Sequence, residues 1–179
     1  VTVTAVNAPQ GYWTAYASGN SRPAVSSLNI DMAGQTRAVT AIVGLAGTRA
    51  INVYSLFGGR LIVDLVGWYT GPTWAPSTDG LFVPSDPQRV FDTRTIRLLA
   101  PWANSTFEFA PRPPNGVSAA AVALNVTATN NWDPGYVTAH PAGTTRPAVS
   151  NLNLSHWPET TASQVIVPLS TRGVALYTS

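Results

Sequence analysis

The chain has no cysteine and no lysine, and little charge of either sign. Without cysteine, a disulfide framework, a thiol nucleophile and a zinc–thiolate site are excluded. Without lysine, Schiff-base chemistry and a P-loop are excluded, because both need the ammonium group. All ten basic residues are arginine, and charged residues fill only 10% of the 179 positions. Ordinary soluble domains carry roughly a quarter. Solubility therefore rests on Thr, Ser, Asn and Gln, a composition that suits an extracellular β-domain better than a cytoplasmic enzyme. The net charge is only +2, and the arginines are scattered with no basic stripe among aromatics. Nucleic acid is therefore not an expected partner. No apolar run is long enough to cross a bilayer, so membrane insertion is not expected. The sequence shows no signal-peptide pattern, and a processed secreted chain would read the same way.

What the sequence does contain is the same passage twice. Residues 11–30 (GYWTAYASGNSRPAVSSLNI) match residues 135–154 (GYVTAHPAGTTRPAVSNLNL). The match runs from Val3-Thr4-Ala5 against Val126-Thr127-Ala128 to Val53-Tyr54-Ser55 against Leu176-Tyr177-Thr178. An offset of about 124 residues is too long for a solenoid repeat and suits a domain. The two copies are out of phase with the chain. Copy one ends in LIVDLVGWY (Leu61–Tyr69), for which copy two has no counterpart. Copy two opens with RVFDTR (Arg89–Arg94), for which copy one has none. The expected organisation is residues 1–71 as the C-terminal part of a first copy, a Pro-rich connector at 72–80 (within GPTWAPSTDG), and 81–179 as a second copy lacking its final strand. The missing parts would come from a longer protein, from a neighbouring molecule by strand exchange, or from the other copy in a permuted arrangement.

Period-two alternation rich in Val, Thr, Ile and Tyr, cut by Gly, Pro, Asn and Ser every eight to twelve residues, predicts an all-β fold. Strands are expected at Val1–Val6, Tyr12–Tyr16, Val39–Val43, Ile51–Ser55, Leu61–Tyr69, Val90–Thr93, Thr106–Phe109, Ala120–Thr129, Tyr136–His140, Ser163–Pro168 and Val174–Thr178. Fifteen prolines and fourteen glycines leave little room for long helices. Two related antiparallel β-sandwiches of jelly-roll type, one or both incomplete, are the first expectation, and a β-trefoil is the alternative. Pro134-Gly135 and Phe57-Gly58-Gly59 read as hairpin turns. Leu61–Tyr69, apolar on both faces except at Asp64, reads as a central strand covered on both sides.

RVFDTR, AAAVALNVTAT (residues 119–129), GYVTAHPAG (135–143), TRPAVSNLN (145–153) and LIVDLVGWY occur in an order that resembles an actinobacterial extracellular repeat family. Such modules stand singly or in tandem in secreted or surface proteins, sometimes beside hydrolase domains. The resemblance covers nearly the whole chain outside the connector, and it implies no catalytic residues. Copy one departs from copy two at Ser27, where copy two has Asn151, and at Tyr16, where copy two has His140.

The repeat also sorts candidate residues, because a side chain needed to build the fold should recur. Arg22 and Arg146, Ser26 and Ser150, and Asn29 and Asn153 do recur. They are expected to satisfy loose backbone groups, with Arg clamping carbonyls. The competing reading is a polar ligand pocket. Asp92 and Arg94 would share one face of a strand as an ion pair stitching it to the sheet. Asp64, in an apolar strand, would need a partner such as an arginine. His140 and His156, the only histidines, do not recur and read as surface residues. No nucleophile elbow, H-E-x-x-H or clustered carboxylates are present, so neither a catalytic set nor a metal site is expected, and no cofactor. Trp13 and Trp68 read as core. Trp74, Trp132 and Trp157 lie in turn-like sequence, where exposed indoles stack on sugars or anchor interfaces. Sequons at Asn104, Asn125 and Asn153 carry no expected role in a bacterial chain.

These readings favour a non-catalytic building block of an extracellular or cell-surface assembly, such as a filament, stalk or virion decoration. Its partners would be other copies of itself or neighbouring repeat domains. The alternative is a carbohydrate- or cell-wall-binding module accessory to a secreted hydrolase, with Trp74, Trp132 and Trp157 as contacts.

Overall fold

The computed structural model describes residues 1–45, 47, 49–69, 80–84, 86–95, 104–113, 118–129, 133–155 and 159–179. Copy one contributes β1 (Thr2–Ala8), β2 (Gly11–Ala17), β3 (Leu28–Ile30), β4 (Gln35–Thr40), β5 (Ile51–Ser55) and β6 (Arg60–Asp64). Copy two contributes β7 (Ser105–Phe109), β8 (Ala121–Ala128), β9 (Gly135–Pro141), β10 (Leu152–Leu154), β11 (Thr161–Pro168) and β12 (Val174–Thr178). The fold is all-β and sandwich-like, with every strand pair antiparallel.

In copy one the sheets run β4-β1-β6 and β3-β2-β5. In copy two they run β11-β8 and β10-β9-β12-β7. The repeat maps β1 onto β8, β2 onto β9, β3 onto β10 and β5 onto β12. Strand order therefore exposes two differences. The edge of β1 that holds β6 corresponds to an edge of β8 that holds no strand among the described residues. The edge of β12 that holds β7 corresponds to an edge of β5 that likewise holds none.

Alternation places the core between the paired sheets. Ala5 and Ala8 of β1, Trp13 of β2, and Leu28 and Ile30 of β3 form one buried cluster, with Val39 and Val53 against it. Val165 and Val167 of β11 and Val174 of β12 form the other, covered by Phe109, Val122, Leu124, Val126 and Leu176. Trp13 is core, as its sequence position implied. Gly59, at φ 122°, lies under its indole, and a Cβ there would sit 3.2 Å from Trp13 Cζ2. At Gly173 (φ 95°) a Cβ would collide with the carbonyl oxygen of Phe109, so no other residue fits without backbone movement.

Several expectations are corrected. The short strands β3 and β10 were not anticipated, because three residues of Leu-Asn-Ile or Leu-Asn-Leu carry too little alternation to register. Phe57-Gly58-Gly59 joins β5 to β6, and Pro134-Gly135 joins β8 to β9. These strands lie in different sheets, so neither turn closes a hairpin. Val90–Thr93 is not a strand, and the chain instead makes a 3-10 turn at Thr93–Thr95. The Leu61–Tyr69 run is not a central strand either. Only Arg60–Asp64 is strand, it occupies a sheet edge, and its residues are exposed or half-buried.

The copies touch through β4, which packs against β10 and β11. Ser155 Oγ accepts from the Thr36 amide at 2.7 Å and donates to the Thr36 carbonyl at 2.8 Å. Arg37 reaches Asp31 at 3.1 Å within copy one and the buried Glu159 of copy two at 3.6 Å.

Candidate functional site

A duplicated frame of hydrogen bonds holds the loop after β2 and the loop after β9 in the same shape. Thr14 Oγ1 donates to the Val25 carbonyl at 2.7 Å, and Thr138 Oγ1 to the Val149 carbonyl at 2.6 Å. Both threonines are fully buried. The Ala15 amide donates to Ser27 Oγ at 3.0 Å, and the Ala139 amide to Asn151 Oδ1 at 2.7 Å. The position where the copies differ thus performs one task with two side chains. A little further on, Gln35 Oε1 accepts from the Asp31 amide at 2.8 Å, and Glu159 Oε2 accepts from the Ser155 amide at 3.0 Å. Satisfying buried backbone groups in this way fixes the loops.

The frame presents a recurrent surface trio. Arg22 lies 4.0 Å over the Tyr54 ring and donates to the Tyr12 hydroxyl at 3.1 Å. Arg146 lies 3.9 Å over the Tyr177 ring and donates to the Tyr136 hydroxyl at 2.9 Å. The tyrosine pairs stand 6.0 and 5.9 Å apart at matching tilts. The hydrogen bond it donates to Tyr12 raises the Arg22 guanidinium above its ordinary value. Such cation–π contacts are worth about 0.5–1 kcal/mol at exposed sites. The arginines thus stack on rings and clamp no carbonyl among the described residues, which corrects the expectation for Arg22 and Arg146. Backbone satisfaction falls to Ser27 and Asn151, the neighbours of Ser26 and Ser150. Asn29 is exposed on β3, whereas Asn153 is buried with its Nδ2 unpaired. The tyrosines were missed as a set, although the aligned G-Y and V/L-Y pairs of the repeat marked them.

Asp92 and Arg94 do pair, but within a turn. Arg94 Nε and Nη2 grip the carboxylate at 2.9 and 2.6 Å, and Arg89 Nη1 adds a bond at 2.9 Å. Bonding to Arg94 first, then Arg89, holds the Asp92 carboxyl well below the usual carboxylate range. Phe91 docks the segment, stacked 5.3 Å from Phe109 and tilted against Phe107 at 5.9 Å. Arg89, Val90, Phe91, Asp92 and Thr95 line an open depression of about 370 Å³. The ion pair therefore closes a turn, and the apolar ring provides the attachment expected of the pair. Asp64 has no ion pair among the described residues; half-buried on an edge strand, it keeps access to water and needs none.

His140 is buried, not on the surface. Its Nδ1 faces the Pro141 carbonyl at 3.1 Å and Thr144 Oγ1 at 3.3 Å, and no carboxylate among the described residues orients it. Among the described residues no three metal-capable side chains gather. Trp74, Trp132, Trp157 and His156 lie outside the described residues. Trp68, expected in the core, is 72% exposed, and Leu61, Ile62, Val63, Leu65 and Tyr69 are exposed with it. Among the described residues, this exposed apolar run starts on an open sheet edge and continues beyond it. No family model, curated protein or solved structure matches the chain.

Proposed function

We infer that the protein is a non-catalytic structural or adhesion module of an extracellular assembly, built to join neighbouring modules or chains. The observation that carries this reading is the exposed apolar run from Leu61 to Tyr69 on and beyond an edge strand. Soluble monomers blunt such edges with charge or proline, and here only Arg60 and Asp64 flank Leu61–Val63. The tandem repeat, the low charge and the resemblance to actinobacterial surface repeats support the same reading. So does the setting of His140, whose neighbours are a carbonyl and a hydroxyl. Electron microscopy of the purified chain tests the proposal: filaments or regular clusters support it, and uniformly single particles at high concentration oppose it.

A second reading, a carbohydrate- or cell-wall-binding module, draws on the exposed Trp68 and Tyr69 and on the duplicated Arg–Tyr–Tyr trios. Sugar rings stack on such aromatic faces. Cell-wall pull-down lost in Trp68→Ala would favour it, and binding unchanged by that variant would count against it.

A further inference from the structure

The internal repeat provides a comparison that one domain alone cannot. After β3 and after β10, Asp31 matches Ser155, Gln35 matches Glu159 and Arg37 matches Thr161, all at one offset. The structure keeps the equivalence. Gln35 Oε1 accepts from the Asp31 amide, and Glu159 Oε2 accepts from the Ser155 amide. Arg37 stands opposite Ala5 of β1, and Thr161 stands opposite Ala128 of β8. Yet in none of the three pairs is the residue the same.

The residues that differ are the ones that meet across the copies. Arg37 Nη2 lies 3.1 Å from Asp31 Oδ2 in its own copy and 3.6 Å from Glu159 Oε1 in the other. Ser155, in the place of Asp31, uses its Oγ to bond both the amide and the carbonyl of Thr36. The Glu159 side chain is only 8% exposed, and a buried carboxylate is costly unless an opposite charge stands beside it. Accepting from the backbone amide needs no such charge, because Gln35 performs the same task as a neutral amide. Copy two has Thr161 where copy one has Arg37. The cation facing Glu159 therefore comes from the other copy.

We propose that Arg37 and Glu159 form a registry pair, which makes a module of the copy-one kind pack on a module of the copy-two kind and not on one like itself. Two modules of the first kind would set a glutamine where the carboxylate stands. Two of the second kind would set Glu159 against a threonine and bury its charge uncompensated. The partner that fits the Arg37 surface is thus a repeat module carrying serine and, four residues on, glutamate in this turn. Fixing one register among several is the best-attested use of a buried charge pair. The pair lies within one chain, so the inference holds whether or not chains assemble with one another.

The distance between the copies tests it. The chain has no cysteine of its own, so Ser21→Cys in copy one and Thr171→Cys in copy two, both exposed, take spin labels without competition. Pulsed electron–electron resonance then reads the label separation in this labelled parent, in Arg37→Thr, in Glu159→Gln and in the double variant. Each replacement is the residue that the opposite copy carries at that place, and glutamine keeps an acceptor for the Ser155 amide. Circular dichroism matching the parent establishes that the sandwiches stay folded. The expected result is one narrow distance in the parent, its loss in each single variant, and no further loss in the double variant, because the two residues act as one pair. Arg37→Lys keeps the charge and should keep the narrow distance. A narrow distance that survives Arg37→Thr or Glu159→Gln overturns the proposal, as does a broad distribution in the parent. A double variant disturbed beyond either single one also overturns it, since the residues then act separately. If Glu159→Gln does not fold, the contrast between Arg37→Thr and Arg37→Lys decides.

Discussion

At the scale of single residues, the copies agree in what the backbone needs and differ in how it is supplied. Ser27 and Asn151 each satisfy one partly buried amide, so either change to alanine strands that amide. Ser27→Ala and Asn151→Ala should each cost about 1–3 kcal/mol in urea unfolding. Ser26→Ala, one position away and exposed, should stay within about 0.5 kcal/mol. Asp92 gives a test in pH. Its folded carboxyl lies below the ordinary value, so its ion pairs contribute fully above about pH 4. That contribution is lost as pH falls through the depressed folded value. Carbon NMR of the Asp92 carboxyl should show it still ionised below about pH 4, where an ordinary aspartate carboxyl protonates. A midpoint in the ordinary aspartate range would contradict the paired turn. The sequence marked the Asp92–Arg94 pair but not its geometry, because alternation over four residues cannot distinguish a strand from a turn closed by its own side chains.

At the scale of elements, strong alternation was a good guide and apolar content alone was not. Ile51–Ser55 and Val174–Thr178 were legible residue for residue because each alternates between clear turn signals. Leu61–Tyr69 misled because an apolar run reports that a surface asks to be covered, without saying whether the cover belongs to the same molecule. β3 and β10 were too short to carry a period. The joint between β7 and β12 depends on Gly173, where backbone occupies the space of a Cβ. Gly173→Ala should therefore destabilise by more than about 1 kcal/mol, from strain at positive φ as well as the collision. Thermal unfolding indistinguishable from the parent would show that this approach is not tight. Of the candidate site, the arginines and their recurrence were legible. Their tyrosine partners were not, because they come from strands far apart in sequence: Tyr12 with Tyr54, and Tyr136 with Tyr177.

At the scale of the whole molecule, two copies of one sandwich are joined at β4 by Ser155 and Arg37. They are unlike at their edges. Among the described residues, copy one presents an apolar edge strand and copy two an uncharged one. On the proposed reading, such edges join neighbouring modules or chains. The most direct measurement is the molar mass of the chain by sedimentation equilibrium over a wide concentration range. The account predicts a mass that rises steadily above the 18.9 kDa of one chain, in steps of one chain. A mass fixed at one chain throughout would contradict it.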